Sequence, residues 1–104
     1  MIDLKPEELQ EVRDILSFYA KGMEVLAFGS RVEGKARKFS DLDLIVIAPE
    51  MLTLRQLAKI KGAFSISDLP FMVDVLDWHT TDDYFRDIIK RNCVMLQTAD
   101  GTKP

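Results

Sequence analysis

Apolar positions along the chain alternate between helical and extended spacing. Leu9, Val12, Ile15, Leu16 and Tyr19 recur on one face of a helix, with Pro6 in its first turn and Glu7 and Glu8 beside the positive end of its dipole. Gly22 follows as a left-handed stop, and residues 23–28 read as a short strand, apolar apart from Glu24. Gly29 and Ser30 interrupt that strand and open a turn of helix ending near Gly34, before a basic loop over 35–40. Residues 41–48 form the strongest strand, stopped by Pro49. Thr53 with Gln56 has capping-box spacing, and Leu54, Leu57, Ile60 and Phe64 continue at helical intervals. A strand over 71–77 is entered after Pro70. Thr80 or Thr81 with Asp82 and Asp83 then starts a last helix whose buried side is Phe85, Ile88 and Ile89. A short edge strand over 94–97 completes the pattern. The order predicts an α/β (α+β) sandwich: a small mixed sheet of three or four strands with helices packed mainly on one side. Residues 1–97 read as one domain and 98–104 as a polar tail.

Composition narrows what such a domain does. With 104 residues and 47% hydrophobic side chains the chain suits a single packed core, and a net charge of −3 disfavours a binder of nucleic acid driven by bulk positive charge. The longest apolar run, residues 44–48, falls far short of the ~18–20 residues that a membrane-spanning helix needs. The opening MIDLKPEELQ lacks the basic stretch and apolar core of a secretory signal. Cys93 is the single cysteine and has no partner for an internal disulfide, which fits a reducing, cytoplasmic setting.

Candidate chemistry concentrates in FGSRVEGKARKFSDLDLIVI, residues 28–47. A Gly-Ser junction between strand and helix presents backbone N–H groups suited to phosphate, and the Ser30 hydroxyl can donate to a phosphate oxygen. Arg31, Lys35, Arg37 and Lys38 stand nearby against Glu33 alone. By itself the same pattern is equally an ordinary turn with a solvated basic loop. Asp41 and Asp43 open a strand, so alternation sends both carboxylates to one face about 7 Å apart. They repel unless a cation lies between them, and oxygen ligands of this kind suit Mg²⁺. They could otherwise be exposed acids at a strand mouth. Asp74 interrupts FMVDVLDW, where burial is costly unless the carboxylate is paired or metal-bound. Asp77, three positions on, faces the other way and is expected to be solvated or a local cap. Three carboxylates beside a phosphate-binding turn fit a two-metal phosphoryl-transfer site. His79 and Cys93 lack the partners that either would need for metal binding or nucleophilic catalysis. The charges of Lys59, Lys61, Arg86, Lys90 and Arg91 are expected on wet helix faces.

Gly29-Ser30, ten residues, then Asp41-x-Asp43 resembles the motif of the DNA-polymerase-β-like nucleotidyltransferase superfamily. The run GSR-x-x-G-x-A-R-x-x-SDLDL is similar to its minimal nucleotidyltransferase branch. Val73-Asp74-Val75 stands where that family has its third carboxylate. The resemblance implies that Gly29, Ser30 and Arg31 hold nucleotide phosphates and that Asp41, Asp43 and Asp74 bind Mg²⁺, two ions, and carry catalysis. It also implies a function: antitoxin of a toxin–antitoxin pair, transferring AMP from ATP to a tyrosine of a helical HEPN ribonuclease toxin. Larger relatives carry further domains for the second substrate, so an acceptor supplied by a partner protein is expected, with direct nucleic-acid contact not expected. Two alternatives remain. One is a binding-only antitoxin that blocks its toxin sterically, and the other a small-molecule nucleotidyltransferase completed by a helical partner. The basic segment 31–38, at +3 within a chain of −3, separates a phosphate-facing loop from an acidic remainder suited to a basic partner.

Overall fold

The computed structural model describes residues 2–100. Its order is α1 (Pro6–Tyr19), β1 (Glu24–Phe28), α2 (Ser30–Glu33), β2 (Leu42–Ile47), α3 (Leu54–Ser65), β3 (Val73–Asp77), a 3-10 turn (Trp78–Thr80), α4 (Asp83–Arg91) and β4 (Val94–Gln97). The four strands form one sheet in the order β3-β2-β1-β4, so the expected edge strand over 94–97 is indeed at an edge. β1 runs antiparallel to both β2 and β4, whereas β2 and β3 are parallel, which requires the crossover that α3 supplies. No helix among the described residues is long and apolar enough to cross a membrane. The expected tail over 98–104 lies partly outside the described residues; within them, Thr98 hydrogen-bonds Asp100.

Each face of the sheet is covered by different helices. On one face Val12 and Leu16 of α1 and Ile60 and Phe64 of α3 pack on Val25, Leu42, Leu44, Val46, Val75 and Leu96. On the other, Ile89 of α4 closes over Leu26, Phe28 and Ile45, with Phe85 edge-on to Phe28 at 5.8 Å between ring centroids. Burying each such aliphatic side chain contributes about 1.5–3 kcal/mol, and the unbroken burial of Leu44, Ile45 and Val46 in β2 reflects helices on both sides. Two long helices therefore share one face and α4 lies alone on the other.

Local signals set the helix starts. Gln56 N–H donates to Thr53 Oγ1 (3.0 Å) while Gln56 Oε1 accepts from Thr53 N–H (2.8 Å), the expected capping box. α4 is capped by Asp82, whose Oδ1 accepts from Phe85 N–H at 2.8 Å. Thr80 and Thr81 instead donate their hydroxyls to the Asp77 carbonyl. Three side chains expected on buried faces are exposed: Tyr19, Leu54 and Ile88. Leu54 lies roughly 120° around its helix from Ile60, and Ile88 roughly 100° from Ile89, so each turns off the stripe that meets the sheet. Tyr19, in the last residue of α1, stacks on Phe18 at 4.8 Å.

Asp77 is a buried cap, not a solvated acid. Its Oδ2 accepts from Leu52 N–H at 2.8 Å and its Oδ1 from His79 N–H at 3.0 Å, so one carboxylate joins the end of β3 to the loop entering α3. Asp77→Ala leaves both donors without their partner and should destabilise the fold by about 1–3 kcal/mol in urea unfolding, with Asp77→Asn recovering part of the loss.

Candidate active site

The sheet brings together three of the acids picked out by the strand pattern. Asp43 is the register partner of Asp74 on the parallel neighbour β3 and of Phe28 on β1. Register partners project to the same face, which here is the α4 face and not the one holding Leu42 and Leu44. Asp41 precedes β2 by one residue and lies on the same side of the alternation as Asp43. Asp41 and Asp74 are exposed, whereas Asp43 is half-buried. Burial, then Asp74, then Asp41 push the Asp43 carboxyl above its ordinary value. Asp74 and Asp41 are therefore both close enough for Asp43 to feel their charge.

Gly29 meets Asp43 directly. It has a φ of 81°, and a Cβ at this position would collide with Asp43 Oδ2, so the carboxylate rests against bare backbone. Ser30 follows as the first residue of α2, half-buried and on the same strand end. The amides of Val32 and Glu33 both close onto the Gly29 carbonyl at 3.0 Å. α2 is a single turn, so few peptide dipoles are aligned, and phosphate binding there would rely on the Ser30 end of the backbone, the hydroxyl and nearby cations. Arg37 and Lys38 are exposed, and Lys35 is in an exposed ion pair with Glu33.

Arg31 was expected beside the phosphates, and its guanidinium is instead turned inwards. Only 5% exposed, it donates to the carbonyls of Ser40, Asp3, Lys38 and Arg37 and lies 4.1 Å over the Phe71 ring. Sequence reasoning missed that arrangement; of its two readings of Asp77 the local cap holds, and the burial of that cap is what it did not foresee. The local signals that existed were an arginine next to an apolar Val32 and an aspartate two residues before a histidine. His79 and Cys93 are structural: a His79 ring nitrogen pairs with the Ala48 carbonyl at 2.7 Å, and Cys93 is half-buried beside the Lys90 carbonyl.

The residues fit a divalent cation that arrives with a substrate. Among the described residues no three His, Cys, Asp or Glu side chains form a cage that could hold a metal unaided. Mg²⁺ ordinarily takes one or two carboxylates and completes its shell with waters and substrate phosphates. The Asp43–Asp74 pair, level across neighbouring strands and beside the bare-backbone Gly29 turn, meets that requirement.

The sequence profile of the polymerase β nucleotidyltransferase family matches residues 10–101. The chain belongs to this family. Among its relatives is a Haemophilus influenzae protein named "Probable protein adenylyltransferase MntA", 48% identical over 101 residues, covering 97% of this chain and 89% of the relative. A solved protein assigned as a minimal nucleotidyltransferase is 30% identical, with a TM-score of 0.67 over 88% of this chain and 95% of its own. A toxin–antitoxin pair solved with AMP-PNP superposes with a TM-score of 0.74, covering 90% of this chain and 73% of that one. At 20% identity this last likeness carries the fold alone. As a nucleotidyltransferase, the chain has its paired acids and its Gly-Ser turn on one end of the sheet.

The raised Asp43 pKa gives a pH signature. Without metal, the folded state holds the Asp43 proton more tightly than the unfolded chain does. Its contribution to stability is therefore full below the ordinary carboxylate pKa and is lost as pH rises through the raised folded value. Asp43→Asn cannot ionise, so it should raise the thermal midpoint of the metal-free protein at neutral pH. The gain should vanish below about pH 4. Each kcal/mol gained corresponds to about 4–8 °C in a domain of this size.

Proposed function

We propose that this nucleotidyltransferase is a protein adenylyltransferase antitoxin that moves AMP from ATP, with Mg²⁺, onto a tyrosine hydroxyl of a HEPN ribonuclease toxin. The carrying observation is the Asp43–Asp74 register beside Gly29. Support also comes from the 48% identity to a relative named as a protein adenylyltransferase. The neighbours solved as toxin–antitoxin pairs, one of them with an ATP analogue, agree with it.

The order of the sheet suggests how the reaction runs. The Gly29-Ser30 turn leaves β1 on one side of Asp43, and Asp74 stands on β3 on the other. Phosphates held by the turn put the leaving pyrophosphate on the β1 side, so an in-line nucleophile arrives from the β3 side. Asp41, Asp43 and Asp74 would hold Mg²⁺, whose charge offsets that of the triphosphate. The tyrosine oxygen forms a bond to the α-phosphorus as the bond to the bridging oxygen breaks, and pyrophosphate leaves. The exposed Asp74 carboxylate can accept the hydroxyl proton. Catalysis in this scheme is positioning and charge neutralisation.

A cleft of about 520 Å³ opens between the C-terminal part of α3 and the segment entering β3, lined by Phe39, Asp41, Lys61, Phe64, Met72 and Val73 among others; of the three acids only Asp41 lines it. Phe39 and Met72 are 65% and 75% exposed, apolar surface in the cleft that Asp41 also lines and suited to an aromatic acceptor side chain. Phe39→Ala with Met72→Ala should raise the KM for the acceptor about tenfold, a loss of ~1.4 kcal/mol, while calorimetry finds AMP-PNP binding unchanged.

The main test uses α-labelled ATP and the toxin expressed together with this chain. Label should appear on a toxin tyrosine and fall at least about 10²-fold with Asp43→Ala. An Asp43→Ala variant that still neutralises the toxin as well as wild type would make the chain a steric antitoxin. Label found only on a small molecule would make it a small-molecule nucleotidyltransferase.

A further inference from the structure

Arg31 adjoins Ser30 in sequence, yet its side chain reaches the entrances of both acid-bearing strands. Nε donates to the Ser40 carbonyl at 2.9 Å, which is the peptide unit leading into Asp41. Nη2 holds the carbonyls of Lys38 (3.1 Å) and Arg37 (3.4 Å) in the same loop, and Nη1 holds that of Asp3 at 3.0 Å. The Arg31 carbonyl in turn accepts from Asp3 N–H at 2.7 Å. The plane of the guanidinium lies on Phe71, the residue before Met72, whose carbonyl accepts from Leu42 N–H at 2.9 Å to begin the β2–β3 ladder. Ser40 Oγ braces the loop from the opposite side by accepting from Arg37 N–H at 2.8 Å.

We infer that Arg31 is a positioning residue: its buried guanidinium fixes Asp41, Asp43 and Asp74 relative to the Gly29-Ser30 turn and makes no contact with the nucleotide. Four carbonyls occupy its donors, and turning it out to a phosphate would give up all four of those hydrogen bonds and the contact with Phe71. The planar fork is what the arrangement needs. A lysine ammonium keeps the charge but cannot bridge Ser40, Lys38 and Asp3 while lying flat on Phe71. Residues that orient metal ligands typically cost 10–100-fold in metal affinity or activity when removed. The inference rests on the proposed reading of the three acids as the metal site.

The test compares Arg31→Lys, Arg31→Gln and Phe71→Leu in three measurements. These are Mn²⁺ binding by electron paramagnetic resonance with AMP-PNP present, AMP-PNP binding in EDTA by calorimetry, and transfer kcat on the co-expressed toxin. Both Arg31 variants should bind Mn²⁺ about 10-fold or more weakly and lose about 10²-fold in kcat, while metal-free AMP-PNP affinity stays within about threefold of wild type. Phe71→Leu removes the ring under the guanidinium while losing only part of the buried apolar volume and none of the charge, so it disturbs folding less than the Arg31 variants do. It should weaken Mn²⁺ binding about threefold in the same direction. Lysine restoring wild-type behaviour, with glutamine losing metal-free AMP-PNP binding, would make Arg31 a phosphate ligand and overturn the inference. Unchanged Mn²⁺ affinity in folded Phe71→Leu would overturn it as well. Wild type that binds no Mn²⁺ overturns the metal site and this inference with it. Wild type that binds Mn²⁺ and labels no toxin overturns the proposed function alone, leaving Arg31 judged on the two binding measurements.

Discussion

Repulsion of the half-buried Asp43 carboxylate by Asp74 and Asp41 is the constraint that the surrounding sheet has to withstand. Left to itself, a half-buried carboxylate facing two others would move apart from them, take up a proton or pull water into the sheet. The second is made easier, since burial, then Asp74, then Asp41 raise the Asp43 pKa. Asp43 cannot do the first, because the parallel β2–β3 register holds it level with Asp74. The unfavourable electrostatics are thus stored in a site that a cation and a triphosphate would relieve, at the cost of some stability when neither is bound.

Resistance to that repulsion comes from both faces of the sheet. β2 carries Leu42, Leu44 and Val46 into the core under α1 and α3, and Ile45 into the core under α4. Displacing the strand that bears Asp43 would open both cores together. Two charged side chains, buried far more deeply than charges usually are, secure the strand ends. Arg31 clamps the approach to Asp41, and Asp77 ties the far end of β3 to the loop before α3. Neither has its charge matched by an ion pair. Each spreads that charge over backbone groups instead: carbonyls around the guanidinium, amides around the carboxylate.

The period-2 and period-3.6 patterns carried the element order, because alternation and helical spacing are properties of neighbouring residues. Where they misled, a helix stripe had been drawn too wide. Leu54 and Ile88 match an apolar spacing but lie outside the arc that touches the sheet, and how much of that arc is used depends on the angle at which the helix docks. The choice of Asp74 over Asp77 was legible for the same local reason. Three residues of extended chain reverse the direction of a side chain, so only one of the two could share a face with Asp43.

By itself, the sequence determined the α/β element order, the pairing of a Gly-Ser turn with Asp41-x-Asp43 and the family to which that spacing points. The motif spans only 15 residues, Gly29 to Asp43, and each element is read from neighbours closer still. Tertiary structure alone decided the role of Arg31, whose contacts reach Asp3 across 28 positions and Phe71 across 40. It also decided that Asp77 is buried, since its partner Leu52 comes from 25 positions upstream. An arginine next to a Gly-Ser turn has the same one-letter code whether it faces solvent or backbone. Which of these it faces is set by the carbonyls that the folded chain brings within reach of its guanidinium.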